Sequence, residues 1–288
     1  MSPAFGESLT LGELVRAALA EDVGAGDVTT QATVPADRRG VARVVARAGG
    51  VVAGLGAFME TYRQVDPDVA VETPLHDGAA VAEGDPVATA RGAFASLLVA
   101  ERTALNFLQR LSGVATLTAR FVVTVQGTGA RIVDTRKTTP GWRALEKAAV
   151  RAGGGGNHRM GLHDAYLVKE NHVSGAGGVE AALAAVAGHD TRGLPIEIEV
   201  RTLADVEAVL ASAHRPDRIL CDNFDLPDLL RAVRRIKSVE EAPLVEASGN
   251  VTLATARAIA ETGVDWISVG ALTHSAVALD LSCVIEPE

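Results

Sequence analysis

From residue 131 onward, short apolar runs alternate with stretches whose apolar residues recur at helical spacing. The runs at 131–134, 165–169, 196–200, 218–221, 244–246 and 266–269 have the length of buried strands. Between them, 142–152, 179–187, 203–211, 226–236 and 253–261 read as amphipathic helices, with Thr202 and Thr252 placed as N-caps ahead of two of them. Strand–helix alternation sustained over about 145 residues predicts parallel strands joined by right-handed crossovers. Six strands are short of a complete eightfold barrel, so the pattern leaves an incomplete or distorted barrel and an open sheet both standing.

The first 130 residues follow another rhythm. A helix at 11–21 leads into the Gly-punctuated turn from Glu21 to Thr30, and residues 41–90 alternate as short strands. That hairpin-rich piece is similar to a lipoyl or biotinyl sandwich, yet no lysine lies between Arg63 and Arg120, which argues against a prosthetic-group carrier. Two helical patterns follow, at 94–111 and 114–126, with Leu98, Leu105 and Leu108 on one face. The expectation is a smaller α/β domain over 1–112, joined near Gly113 to a larger one over 113–275.

Composition sharpens this picture without changing it. Aromatic residues are only 3% of the chain while hydrophobic ones are 48%, so the core must be built from Ala, Val, Leu and Ile, as in α/β proteins. The net charge of −9 argues against nucleic acid or an acidic membrane surface as partner. No stretch approaches the ~18 apolar residues of a membrane span, and the chain start lacks a signal-type basic and apolar sequence. The two cysteines, Cys221 and Cys283, have no metal-type spacing. A reducing cytoplasm is expected.

Charge distribution is where chemistry enters. Residues 134–172 hold seven Arg and Lys against four Asp and Glu, so this segment is net +3 in a remainder of net −12. A positive island in an acidic chain suits an anionic ligand. Polar residues also follow nearly every strand pattern, the end at which barrel enzymes build their sites. Thr135, Arg136 and Lys137 leave the first strand; Arg offers a planar fork for a carboxylate or phosphate and Lys a point charge. Four glycines at 153–156 permit close backbone approach and run into Asn157, His158 and Arg159, further donors to an acid. Lys169 ends a strand, where it could form a Schiff base or serve as a permanent cation for pyrophosphate. Glu199 and Asp222 end consecutive strands and could hold Mg²⁺ or pair with Arg136 or Lys169. Ser248, Gly249 and Asn250, then Val269, Gly270 and Ala271 with His274 one turn on, follow the last two strands, where barrels bind a phosphate on exposed backbone N–H groups. A monophosphate, a second polyanion with a divalent metal and a carboxylated partner are the needs of a phosphoribosyl transfer.

Seven stretches taken together resemble one family: Glu101 to Leu108, Asp134 to Thr138, Gly153 to Arg159, Leu167 to His172, Cys221 to Phe224, Glu246 to Asn250 and Ser268 to Ala271. The sequence resembles quinolinate phosphoribosyltransferase, the carboxylating nicotinate-nucleotide pyrophosphorylase, a type II phosphoribosyltransferase, over essentially its whole length. The resemblance implies an N-terminal α/β sandwich, an open and incomplete α/β barrel, and a tail at 276–288 returning to the first domain. It implies that quinolinate and phosphoribosyl pyrophosphate become nicotinate mononucleotide, pyrophosphate and CO₂, with Mg²⁺, in NAD biosynthesis. Arg136, His158 and Arg159 would hold the quinolinate carboxylates with Thr135 and Lys137 beside them. Lys137 and Lys169 would face pyrophosphate and ribose. Glu199 and Asp222 would meet the ribose hydroxyls and the metal, directly or through water. Lys137, Lys169, Glu199 and Asp222 are thereby the expected catalytic set. Ser248, Gly249, Asn250, Val269, Gly270, Ala271 and His274 would surround the 5′-phosphate. Arg102 would come from the neighbouring subunit of a homodimer. A paralogous phosphoribosyltransferase, such as the relatives linked to molybdate-transport operons, or a nicotinate-using enzyme, then a Schiff-base barrel lyase using Lys169, then a non-catalytic metabolite-binding protein, are the rival readings.

Overall fold

The computed structural model describes residues 10–288; residues 1–9, including the chain start and the beginning of the expected 1–112 domain, lie outside it. In chain order the elements begin α1 (Leu11–Val23), α2 (Val28–Thr33), β1 (Arg39–Ala46), β2 (Gly50–Val51), α3 (Leu55–Val65), β3 (Ala70–Glu72), β4 (Ala80–Val81), β5 (Pro86–Ala93) and α4 (Phe94–Thr124). They continue β6 (Arg131–Val133), α5 (Arg143–Ala152), β7 (Tyr166–Val168), α6 (Glu170–Ala176), α7 (Val179–His189), β8 (Ile196–Val200), α8 (Leu203–Leu210) and β9 (Arg218–Asp222). The last are α9 (Leu226–Ile236), β10 (Leu244–Ser248), α10 (Leu253–Glu261), β11 (Trp266–Ser268), α11 (Ala271–His274) and β12 (Leu281–Pro287). Two compact units result: one of the described residues up to Leu117 with Thr139–Gly154 and Ala276–Glu288, the other of Thr118–Thr138 and Gly155–Ser275.

The first unit is built on an antiparallel sheet of order β12-β1-β5-β3. Its core joins Ala42, Val44 and Ala46 of β1, Val87 and Ala90 of β5, Phe58 and Tyr62 of α3, and Leu97, Leu105 and Leu108 of α4. The expectation of short strands alone over 41–90 is corrected by α3. Leu55, Phe58 and Tyr62 are buried at helical spacing, and that period wins over the alternation on either side. The two helices expected at 94–111 and 114–126 are one helix, α4. Gly113 does not break it; a Cβ there would stand 2.1 Å from the Val277 carbonyl oxygen, so the glycine serves close approach of another backbone. Residues 276–288 belong to this unit, and β12 pairs with β1 from Ala46↔Leu281 to Gly40↔Pro287. In the same unit Trp142, just ahead of α5, stacks on Phe107 with ring centroids 4.6 Å apart.

The second unit is a parallel sheet of order β6-β11-β10-β9-β8-β7, with every strand close to its expected place. Its strands are short apolar runs, such as Ile219, Leu220 and Cys221 in β9, all but fully buried. The last strand, β11, pairs back onto the first, β6, which is how a barrel closes rather than how an open sheet ends. No strand pairing joins β6 to β7; only a single parallel bridge, Val133 to Gly156, stands beside β6 there. The barrel is therefore open at one seam. Capped helices follow the strands: Thr202 and Thr252 accept from the N–H groups of Asp205 and Thr255, and Asp225 caps α9.

Candidate active site

The parallel register carries the carboxyl ends of β6 to β11 to one mouth, where a cavity of about 550 Å³ opens. Thr135, Arg136, Lys137, His158, Arg159, Lys169, Glu199, Asp222, Ser248, Gly249 and Asn250 line it. These residues are scattered over more than a hundred positions of sequence, and the barrel brings them together.

On the β6 side, Asp134 is fully buried and organises the loop opposite. Its carboxylate accepts from the Asn157 amide at 2.5 Å and from the His158 backbone N–H at 2.9 Å. The Gly156 N–H meets the Ile132 carbonyl at 2.8 Å, so the glycine run is stitched beside β6 as a fixed edge and not a flexible linker. The Thr135 hydroxyl accepts from the Lys137 N–H at 3.0 Å and tightens the turn that presents Arg136 and Lys137. Arg159, partly buried and close to the charge of Arg136, has its pKa lowered by burial first and by that like charge second. Two guanidinium groups held together in this way favour an anion between them.

At the ends of β7, β8 and β9, Lys169 donates to Glu199 at 2.7 Å. Arg201, which the sequence reading passed over, lies 3.6 Å from the other Glu199 oxygen and 4.0 Å from Asp222, and it also pairs with Glu170. The Asn223 amide donates to Asp222 at 2.9 Å. The Glu199 carboxylate sits between Lys169 and Arg201. Glu199 and Asp222 still present hard oxygens to one side of the cavity.

The third group is a backbone loop. Gly249 has φ +98° and Asn250 φ +48°, and the Asn250 amide donates to the Asn223 side chain at 3.1 Å. A Cβ on Gly249 would fall 2.2 Å from that side-chain oxygen, so only glycine fits. Nearby, a Cβ on Gly270 would meet the Lys137 side chain at 2.9 Å and His274 Nε2 at 3.1 Å. Thr273 donates to the Lys137 carbonyl at 2.8 Å, tying the β6 loop to α11. Val269 is buried, and Ala271 begins α11. Arg102 stands on α4 in the first unit, exposed and 3.7 Å from Glu101.

Beneath the mouth lies a cluster that sequence reasoning missed. Glu197 on β8 and Glu246 on β10 are both buried inside the barrel. His158 Nε2 lies 2.9 Å from Glu197 and 3.5 Å from Glu246. Arg218 is 3.5 and 3.3 Å from the same two carboxylates, and its guanidinium lies over the Trp266 ring at 3.5 Å. Burial alone would lower the His158 pKa, but the bonds and charges of the two acids outweigh it and raise it to about 9. Burial and the charge of Glu246 push Glu197 up to about 7. Alternation within one strand was the available signal, since Glu197 and Glu199 share a face and one must lie a layer deeper.

A parallel α/β barrel with paired cations, paired acids and a glycine-shaped backbone loop at its strand ends defines an enzyme for small polyanionic substrates. Two family profiles match the chain, the quinolinate phosphoribosyl transferase N-terminal domain over residues 27–112 and its C-terminal domain over 114–284. The chain belongs to the quinolinate phosphoribosyltransferase family. It is 44% identical over 272 residues to a nicotinate-nucleotide pyrophosphorylase (carboxylating) of Mycobacterium leprae, covering 93% of this chain and 95% of that one. It is 42% identical over 290 residues to quinolinate phosphoribosyltransferase (decarboxylating) 1b of Nicotiana tabacum, covering 96% and 82%. The solved nicotinate-nucleotide pyrophosphorylase of Francisella tularensis superposes with a TM-score of 0.88 at 37% identity, covering 96% of each chain.

Proposed function

We propose that this chain converts quinolinate and phosphoribosyl pyrophosphate to nicotinate mononucleotide, pyrophosphate and CO₂, a step of NAD biosynthesis. The observation that carries the reading is the division of one cavity into a cationic side and a backbone loop. Arg136, Arg159 and His158 form the cationic side for the two carboxylates of quinolinate, with Thr135 and Lys137 at its edge. Ser248, Gly249 and Asn250, with Gly270 and His274 near, form the cradle for the 5′-phosphate. Lys137 and Lys169 neutralise the departing pyrophosphate, and Glu199 with Asp222 orient the ribose hydroxyls.

The chemistry asks little of any strong base. The pyridine nitrogen displaces pyrophosphate at the anomeric carbon through a loose, oxocarbenium-like transition state, where positioning and charge neutralisation lower the barrier. The positive charge of the quaternised nitrogen then stabilises the electron pair left on the adjacent ring carbon as its carboxylate departs as CO₂, and that carbon takes up a proton from solvent to give nicotinate mononucleotide. Mg²⁺ fits the two hard oxygens of Glu199 and Asp222 only together with substrate oxygens, since Lys169 and Arg201 already flank Glu199. When bound it would supply charge neutralisation to the pyrophosphate.

The active unit in this reading is a homodimer in which Arg102 reaches the neighbouring subunit's site; its exposure on α4 is consistent with that role. A cytoplasmic setting fits two free cysteines and the absence, among the described residues, of any helix long and apolar enough to cross a membrane. Incubation with quinolinate, phosphoribosyl pyrophosphate and Mg²⁺ should release CO₂ and nicotinate mononucleotide in equal amounts. Release of neither product, by a chain that is folded, would refute the reading. Mixed Arg102→Ala and Lys169→Ala proteins, each inactive alone, should regain partial activity through subunit exchange; no recovery removes the shared site.

A further inference from the structure

The His158 cluster is a built device of which the reaction as described uses only the His158 ring. Its four ionisable side chains come from different places: Glu197 on β8, Arg218 on β9, Glu246 on β10, and His158 on the loop after the glycine run. Trp266 on β11 completes it, meeting the His158 ring edge-on at 6.1 Å and the Arg218 guanidinium face-on. Glu246 is fully buried and Glu197 nearly so, each with one side-chain oxygen that makes no hydrogen bond. Arg218 lies within 3.5 Å of both carboxylates.

Charge counting shows what the cluster does. With His158 neutral and both acids ionised, two buried carboxylates would face one guanidinium, an uncompensated negative charge that a single proton shared between His158 and Glu197 removes. The charged groups facing His158 are Glu197, Glu246 and Arg218 below; Asp134, which holds its backbone N–H, and the neighbouring Arg159 lie beside it. Its Nδ1 accepts from the Arg159 N–H at 2.7 Å, a contact the charged ring surrenders. Two carboxylates within 3.5 Å outweigh that single backbone dipole. His158 lines the mouth above as well as a second cavity of about 220 Å³ with Glu197, Arg218 and Trp266. It is the lid of the cluster and the floor of the site.

We propose that Glu246, braced by Arg218 on Trp266, is a positioning residue: it fixes His158 under the mouth and keeps its imidazole a cation for a substrate carboxylate. The inference rests on the reading of His158 as a quinolinate contact. Glu246 itself need touch no substrate. Its influence passes through the ring.

The test has two arms. In the first, the His158 ring is titrated by NMR in the wild-type chain and in Glu246→Gln. The wild-type ring should titrate near 9, and the Gln variant should titrate at a clearly lower pH. An ordinary wild-type value, or an unmoved one in Glu246→Gln, overturns the proposal without reference to any substrate. In the second arm, quinolinate binding is measured against pH. Glu246→Gln should weaken quinolinate about tenfold at about pH 8 and much less at about pH 6, because ring protonation then restores the contact. The KM for phosphoribosyl pyrophosphate and the kcat at saturating quinolinate should change much less. Equal weakening at both pH values marks a merely structural role and overturns the proposal. A shifted ring titration with no change in quinolinate affinity refutes instead the placing of quinolinate on His158. Should Glu246→Gln not fold, the wild-type chain decides: its ring should titrate near 9 and its quinolinate affinity should fall as pH rises through that value, and an ordinary ring value or an affinity that does not change there overturns the proposal.

Discussion

At the scale of single residues, the site rests on positions where only one side chain satisfies the geometry. Gly249 is the sharpest of these, with a left-handed φ and a neighbouring side-chain oxygen where its Cβ would be. Gly249→Ala should raise the KM for phosphoribosyl pyrophosphate at least about tenfold and cost about 1–3 kcal/mol of stability. Kinetics and urea unfolding would measure the two effects, and an unchanged KM would separate this loop from the phosphate. His158 carries a pH prediction. Its folded pKa of about 9 lies above the unfolded value of 6.5, so its stabilisation is complete below 6.5 and is lost as pH rises through 9. Glu197, raised from its usual 4.5 to about 7, also binds more proton in the folded state, but its contribution is lost earlier, as pH rises from about 4.5 through about 7. Urea midpoints should therefore fall between about pH 6.5 and 9.5, and His158→Gln should flatten the decline. Most residues at the mouth were legible one by one, because Arg, Lys and Gly after strand patterns have few other uses. Arg201 and Arg218 were not, since an isolated arginine carries no sign of the carboxylates it will meet.

At the scale of elements, the parallel strands and their helices were readable almost residue by residue, because continuous apolar runs and helical spacing have different periods. The exceptions share a cause. In α3 a helical period is embedded between alternating strands, and in α4 a glycine stands inside a helix that runs straight through it. Glycine usually marks an end, but here the partner backbone at Val277 requires it. Gly113→Ala should leave the helical propensity of α4 intact or improved and still destabilise the fold by about 3 kcal/mol through overpacking. Thermal and urea unfolding would check it, and a stabilised variant would mean that the Val277 contact is not held in solution.

At the scale of the whole molecule, sequence order and spatial order part company. Residues 276–288 and 139–154 belong with the amino-terminal segment rather than with their neighbours in the chain. Strand β12 covers one side of β1 along most of its length, so removing 279–288 should expose that edge and produce aggregation or loss of soluble protein. Light scattering and soluble yield would show it; a soluble and stable truncation would mean that β1 needs no cover.

The sequence by itself determined the α/β class, the strands and helices of the barrel, and the family, because these follow from local periodicity and from motifs contiguous in the chain. It also held the residues of the cationic side and of the backbone loop. Only the tertiary structure decided which of those residues meet, that Glu199 is clasped by Lys169 and Arg201, and that a charged layer of His158, Glu197, Arg218 and Glu246 lies beneath the mouth. The physical reason is the same in each case: ion pairing and burial are relations between strands, and strand sequences state their own period but not their depth or their neighbours' charges.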